Sequence, residues 1–371
     1  MRLFKTDSIF RYFKIIPLFI FIFSNSIALG ATVTLVDELT LPANAAGGQN
    51  IPLGVEFNPD GTKMYITGKS VQKVRQFNLA TAFDISTGGG GAAEESCDLT
   101  FDHRAGSDAD MTNLSFNNDG TKFFIVDTHN DQGERIDAYT LSTAYDMSTC
   151  TYDSSLELPT LESRAIDFSN DGKSLFVFDQ TGNFSIKQYS MTSAFDISNA
   201  TLLKSYEGTN IKAHERFAHG FVFSANGLKM FTTGNAEKTI LQFSLSTPFD
   251  VRGKVALDGE LILTDPSKLG AITFSNDGLK MFITDWGDRG VYEYNLSCSF
   301  GVVKCHDPST DADDTATTQS QTESAKKLIK HSTSPVLNRM QWLRRNENRA
   351  NLTNQNIKFQ FNNEILNSLS K

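Results

Sequence analysis

Six histidines, four cysteines and a scatter of carboxylates carry the ligating and catalytic chemistry open to this chain, and their spacing excludes most of it. The histidines at 103, 129, 214, 219, 306 and 331 form neither HxxxH nor HExxH, and Cys97, Cys150, Cys298 and Cys305 contain no CxxC. Neither set has zinc-site spacing. Nucleophilic catalysis is no better served, because no GxSxG occurs and no Cys/His couple stands at a recognisable spacing. Asp127, His129 and Asp131 alternate as calcium-loop ligands do, but Gln132 stands where that loop turns on glycine and no bidentate Glu follows. No cofactor is implied. The cysteines allow three pairings, of which Cys298 with Cys305 is the shortest closure.

The elements that must position any remaining site come from an internal repeat. One motif reads FNPDGTKMY, FNNDGTKFF, FSNDGKSLF, FSANGLKMF and FSNDGLKMF, with its glycine at 61, 120, 172, 227 and 278, spaced by 59, 52, 55 and 51 residues. A second motif follows each copy: QFNLATAFDIS, AYTLSTAYDMS, QYSMTSAFDIS, QFSLSTPFDV and the decayed EYNLSCSFGV. Short apolar segments flank Asp-Gly or Asn-Gly, the strongest local hairpin signal, since a tight primed turn needs positive φ. The second motif supplies a third strand. A variable fourth is placed at DLTF (98–101), ELPTL (157–161), LLKSY (202–206) and ELILT (260–264). Asp84, Asp146, Asp196 and Asp250 recur after the third strand, where Asx side chains bond nearby amides.

Four short strands per unit at about fifty residues predict an all-β fold, a β-propeller of about five four-stranded blades over 31–305. The last unit lacks its outer strand, and VTLVDELTLP (33–42) is an orphan outer strand, so pairing the two closes the ring without an exposed edge. The five Phe that open the first motif are read as packing between blades. The F-[SN]-x-[DN]-G-x-K-[ML]-[YF] element resembles the PD40 and TolB-type, WD40-like propeller repeat and is similar to the YVTN family. That resemblance implies the fold and carries no catalytic residues. It also implies that ligands meet the loops between second and third strands and between blades, at one mouth of the channel. Mapped here, the candidate binding residues are Arg104, Asp108, Asp110, His129, Asp131, Arg135, Glu162, Arg164, Asp179, His214, Glu215, Arg216, Asp285, Trp286, Asp288 and Arg289. A mouth of mixed sign with one Trp suits a protein or glycan ligand.

The ends of the chain carry an address. Arg2, Lys5, Arg11 and Lys14 precede an apolar run, Ile15 to Phe23, and then a small polar stretch, the order of a secretory signal peptide over 1–30. Export to the periplasm, outer-membrane surface or extracellular space is expected. Residues 31–305 hold 21 Lys+Arg against 35 Asp+Glu, a charge that excludes nucleic acid as the main partner. Residues 306–325 are too polar to bury a core and form a disordered linker. The basic tail, 326–371, carries Val336, Leu337, Met340 and Leu343 at helical spacing with Trp342 at the edge, an amphipathic helix suited to a membrane surface. SPVLNRMQWLRRNENRANLTNQNIKFQF resembles the segment preceding the translocator barrel of bacterial autotransporter-like proteins, which implies a passenger for a surface barrel. The leading expectation is an exported, non-catalytic binding or adhesion module. The alternatives are a lactonase-like or glycan-cleaving propeller using carboxylates such as Asp110, Glu162 or Glu215, and a TolB-like periplasmic scaffold.

Overall fold

Each DG-type turn in the sequence becomes a hairpin in the computed structural model, which describes residues 31–41, 51–69, 73–88, 93, 95–99, 110–129, 133–159, 162–303 and 305. The signal segment, the linker and the tail helix lie outside the described residues. The first blade contains β2 (Ile51–Phe57), β3 (Lys63–Lys69), β4 (Lys73–Asn78) and β5 (Glu95–Asp98), and the second β6 (Asp110–Phe116), β7 (Lys122–His129), β8 (Gly133–Leu141) and β9 (Cys150–Leu158). The third holds β10 (Ser163–Phe168), β11 (Ser174–Asp179), β12 (Ser185–Ser190) and β13 (Thr201–Glu207). In the fourth are β14 (Ala218–Phe223), β15 (Lys229–Gly234), β16 (Thr239–Leu245) and β17 (Val255–Ile262). The fifth consists of β18 (Leu269–Phe274), β19 (Lys280–Asp285), β20 (Gly290–Leu296) and the amino-terminal β1 (Val33–Thr40), in the order β1-β20-β19-β18. β1 runs antiparallel to β20, with Leu35 opposite Tyr294. All sheets are antiparallel, an arrangement consistent with a β-propeller.

Three details differ from the sequence reading. The outer strands β5, β9 and β17 begin earlier than the apolar clusters suggested, because an outer strand is half exposed and accepts polar residues. The first two blades are also bridged by one pair, Lys69 opposite Asp110. A one-and-a-half-turn helix, α1 (Thr209–His214), interrupts the connection before the fourth blade.

The motif Phe residues close the ring by packing from blade to blade. Phe116 packs on Tyr65 (ring centroids 4.7 Å apart), Phe168 on Phe124 (4.6 Å), Phe223 on Phe176 (4.6 Å), Phe274 on Phe231 (4.7 Å), and Phe57 on Phe282 (4.3 Å). Each pair joins one blade to the blade before it, and the last returns the cycle to its start. A polar latch runs the other way. The third-strand Gln76 accepts the Met147 amide of the next blade (3.1 Å), Gln188 accepts Val251 (3.2 Å), Gln242 accepts Val302 (3.0 Å), and Glu293 accepts Ile85 across the closure (3.1 Å). Ala138 holds the equivalent place in the second blade and supplies no latch.

The corner these latches grip explains the second motif. Asp84, Asp146, Asp196 and Asp250 accept the amide two residues on. The aromatic just before each, Phe83, Tyr145, Phe195 and Phe249, adopts φ between 50° and 59°, as does Phe300 in the fifth blade at 50°. Held so, each ring lies over its own blade's turn glycine. Gly172 needs its hydrogen twice over: its φ is +65°, and a Cβ would enter the Phe195 ring. Cys97–Cys150 ties β5 to the start of β9, and Cys298–Cys305 ties the end of β20 to the segment after it.

Candidate functional site

Two positions in the innermost strands depart from the otherwise repeating sequence. Immediately before the motif Phe stand Glu56, Ser115, Asp167, Val222 and Thr273, and four residues before it stand Leu53, Thr112, Arg164, His219 and Gly270. The second set coincides with a β-bulge in every inner strand: the register shifts between Pro52 and Gly54, Met111 and Asn113, Ser163 and Ala165, Ala218 and Gly220, and Leu269 and Ile272. A bulge re-aims a side chain that regular pleating would place elsewhere. At about 3.3 Å per residue the two levels are roughly 10 Å apart along the strands.

The first set lines a cavity of about 310 Å³ that opens among the Asp-Gly turns. Its rim is tied from blade to blade by turn asparagines, Asn118 donating to the Asn170 carbonyl (2.7 Å), Asn170 to Ala225 (2.9 Å) and Asn276 to Pro59. Glu56 and Asp167 face this cavity. The Glu56 carboxyl accepts the Phe57 amide (3.0 Å) and the Thr273 hydroxyl (3.3 Å). Burial, reinforced by the charge of Asp167, pushes its pKa up to about 8. Asp167 accepts the amides of Phe168 (2.7 Å) and, in the next blade, Phe223 (2.8 Å). Burial outweighs those two bonds and raises its pKa to about 6. At neutral pH the pair therefore presents one carboxylic acid and one carboxylate. Sequence reasoning passed over both, although their signal was present: they occupy the strand position at which otherwise alike blades carry five different side chains.

At the other end of the inner strands lie the residues singled out from the loops. Arg104, Asp108 and Asp131 lie outside the described residues, as does the side chain of His129. Several of the rest are committed to holding backbone. Glu215 accepts the amides of Phe217 (2.8 Å), Ala236 (2.8 Å) and Glu237 (2.9 Å), in space left by the missing side chain of Gly234. Asp285 accepts Lys268 (3.1 Å), Gly287 (2.7 Å) and Asp288 (3.2 Å), and Asp179 accepts Thr181 (2.9 Å) and pairs with Lys187 (2.7 Å). Arg135 is buried against Asp137 (2.8 Å) and Asp127 (3.5 Å). Asp110 pairs with Lys69 (2.9 Å), His214 meets Glu260 (2.7 Å), and Arg216 meets Glu237 (2.8 Å). Glu162 is exposed and Arg289 turns the chain at φ 61°. Asp110, Glu162 and Glu215 thus sit in three different local settings, the first in an ion pair, the second in solvent and the third among amides.

One group of loop and bulge residues does converge. Arg164 donates through Nε to Gln180 (2.8 Å), and its charge reaches His219, whose pKa burial and then Arg164 pull down to about 4. The His219 ring lies 6.1 Å from Trp286, and the Lys268 ammonium sits 4.1 Å from the Trp286 ring centre.

No protein-family model and no curated protein sequence matches the chain. Among solved structures it is similar to a candidate 6-phosphogluconolactonase from Bacteroides uniformis, at 14% identity over 67% of each chain with a TM-score of 0.40. It is also similar to the periplasmic gluconolactonase of Pseudomonas aeruginosa, at 12% identity over 69% of this chain and 76% of that one, with a TM-score of 0.41.

Proposed function

We propose that the chain is an exported five-bladed β-propeller that binds a small polar ligand in its axial cavity and serves as a recognition module at the bacterial envelope or surface. The carrying observation is the contrast between frame and wall. Turn glycines, packing aromatics and corner aspartates recur from blade to blade, while the five residues before the motif Phe differ in every blade and line one cavity. A frame repeated for stability and a wall varied for chemistry is what selective binding requires. Calorimetric titration of the full chain against neutral saccharides and short peptides tests this. Saturable binding that weakens at least tenfold in Glu56→Gln or Asp167→Asn is expected; binding indifferent to both substitutions would move the seat elsewhere.

The basic start, apolar run and small-residue stretch support export, and two disulfides suit an oxidising compartment. The basic tail is proposed to meet a membrane or a separate translocator barrel. Protease added to intact cells should remove the propeller if it is displayed outside and spare it if it is periplasmic.

The Glu56–Asp167 pair favours a second reading, acid/base catalysis on a lactone or glycoside. Two carboxyls whose surroundings hold one protonated and one ionised at neutral pH have the division of labour such chemistry uses. Turnover of a lactone or aryl-glycoside panel, with pH limbs near 6 and 8 and loss in Glu56→Gln, is its expected signature; absence of turnover across the panel rules it out.

A further inference from the structure

The upper level of the inner strands carries chemistry that the axial-cavity reading leaves unused. Bulges bring Thr112, Arg164 and His219 to the same level on three consecutive blades. A bulge re-aims the side chain it carries, and three of the five bulge positions, Thr112, Arg164 and His219, carry a polar one. Among the buried polar atoms at this end of the inner strands that lack a hydrogen-bond partner are two donors, the Thr112 hydroxyl and the Trp286 indole N–H. Orphan donors of this kind carry a desolvation cost that a bound acceptor removes. The Trp286 indole packs between the Lys268 ammonium, 4.1 Å from its ring centre, and the His219 ring at 6.1 Å. Arg164 is likewise fixed by its Nε bond to Gln180, which leaves the terminal guanidinium nitrogens as directed donors.

We propose that Thr112, Arg164, His219 and Trp286 form a receptor for the carboxylate of a small acidic ligand, an acidic sugar being the chemistry that fits. The Arg164 guanidinium and the Trp286 N–H donate to the carboxylate, and the Thr112 hydroxyl and neutral His219 take ring hydroxyls. Lys268 is a positioning residue that holds the indole and adds positive potential. Two cationic groups, of which Arg164 alone offers a planar fork of donors, match a singly charged planar anion better than a phosphate dianion, which demands more donors. The site is separate from the axial cavity, so it stands or falls independently of the reading above.

Intrinsic fluorescence tests it on the full chain. Trp286 and Trp342 are the two tryptophans, and a Trp342→Phe background isolates the signal of Trp286. Glucuronate is expected to change that signal saturably, glucose to leave it flat, and inorganic phosphate to bind more weakly than glucuronate. Arg164→Gln should weaken glucuronate at least tenfold, Arg164→Lys by a smaller factor because charge remains without the planar fork, and Thr112→Val by a few-fold. A flat glucuronate titration, an equal response to glucose, or undiminished binding in an Arg164→Gln protein that retains the wild-type melting temperature overturns the receptor. Phosphate binding tighter than glucuronate overturns the carboxylate assignment. Should Arg164→Gln fail to fold, the Arg164→Lys and Thr112→Val titrations decide.

Discussion

Replacing Glu56 by Gln is expected to change how stability depends on pH before it changes anything else. In the unfolded chain this carboxyl titrates near its ordinary value of 4.5, and in the folded chain near 8. Below about pH 4.5 it is protonated in both states and adds nothing to the difference. Between about 4.5 and 8 the unfolded chain releases the proton while the folded chain keeps it, so the unfolded state gains and stability falls as pH rises. Above 8 both are ionised and the full penalty is present. A tenfold difference in proton affinity is worth about 1.4 kcal/mol, which sets an upper limit of about 5 kcal/mol. Glu56 faces a cavity roomy enough for water, and hydration of the ionised form would reduce this to about 2 kcal/mol. Gln keeps the shape and an oxygen to accept the Phe57 amide and the Thr273 hydroxyl, and it cannot ionise. Urea unfolding at pH 5, 7 and 9 should therefore show wild type losing about 2 kcal/mol more than Glu56→Gln across that range. Parallel slopes in the two proteins would refute the reasoning, since they would mean that the carboxyl is ionised in the folded state at neutral pH.

Asp167→Asn should act in the same direction over a narrower window, about pH 4 to 6, because its folded pKa is raised only from 3.8 to about 6; melting temperatures at pH 4, 5 and 7 check this. Gly172→Ala forces a side chain into positive φ, at about 1–2 kcal/mol, and into the Phe195 ring, at about 1–3 kcal/mol more; denaturant unfolding should register a loss of about 3 kcal/mol, against about 1–2 in a Phe195→Ala background. Gln188→Ala leaves the buried Val251 amide unanswered and should cost about 1–3 kcal/mol, whereas the matching Gln76→Leu and Gln242→Leu changes should cost similarly if the latch is generic. Replacing both Cys97 and Cys150 by Ser releases a closed loop spanning a sequence separation of 53 residues. The expected loss is about 2–4 kcal/mol, read as a lower melting temperature that matches that of the reduced wild type if Cys298–Cys305 contributes little.

The repeat carried the architecture in plain sight, because a blade is a local object. Asp-Gly turns, short apolar segments and a motif Phe every fifty-odd residues depend on contacts within one unit or between neighbours. Even the ring closure followed from an orphan strand at one end and a missing strand at the other. The second motif was harder. Its Phe83, Tyr145, Phe195 and Phe249 look like ordinary core residues, and their positive φ emerges only when the ring lies against a glycine some 22 to 25 residues earlier in the chain. The site was hardest, for a reason of scale. Loop polarity pointed to Asp179, Glu215 and Asp285, but a carboxylate surrounded by backbone amides is a fastener, and which amides surround it is a property of folded loops. Glu56 and Asp167 lie in apolar strands that read as pure packing. Their raised proton affinity arises from burial and, for Glu56, also from the charge of Asp167 more than a hundred residues away in sequence, and only the closing of the ring brings that about.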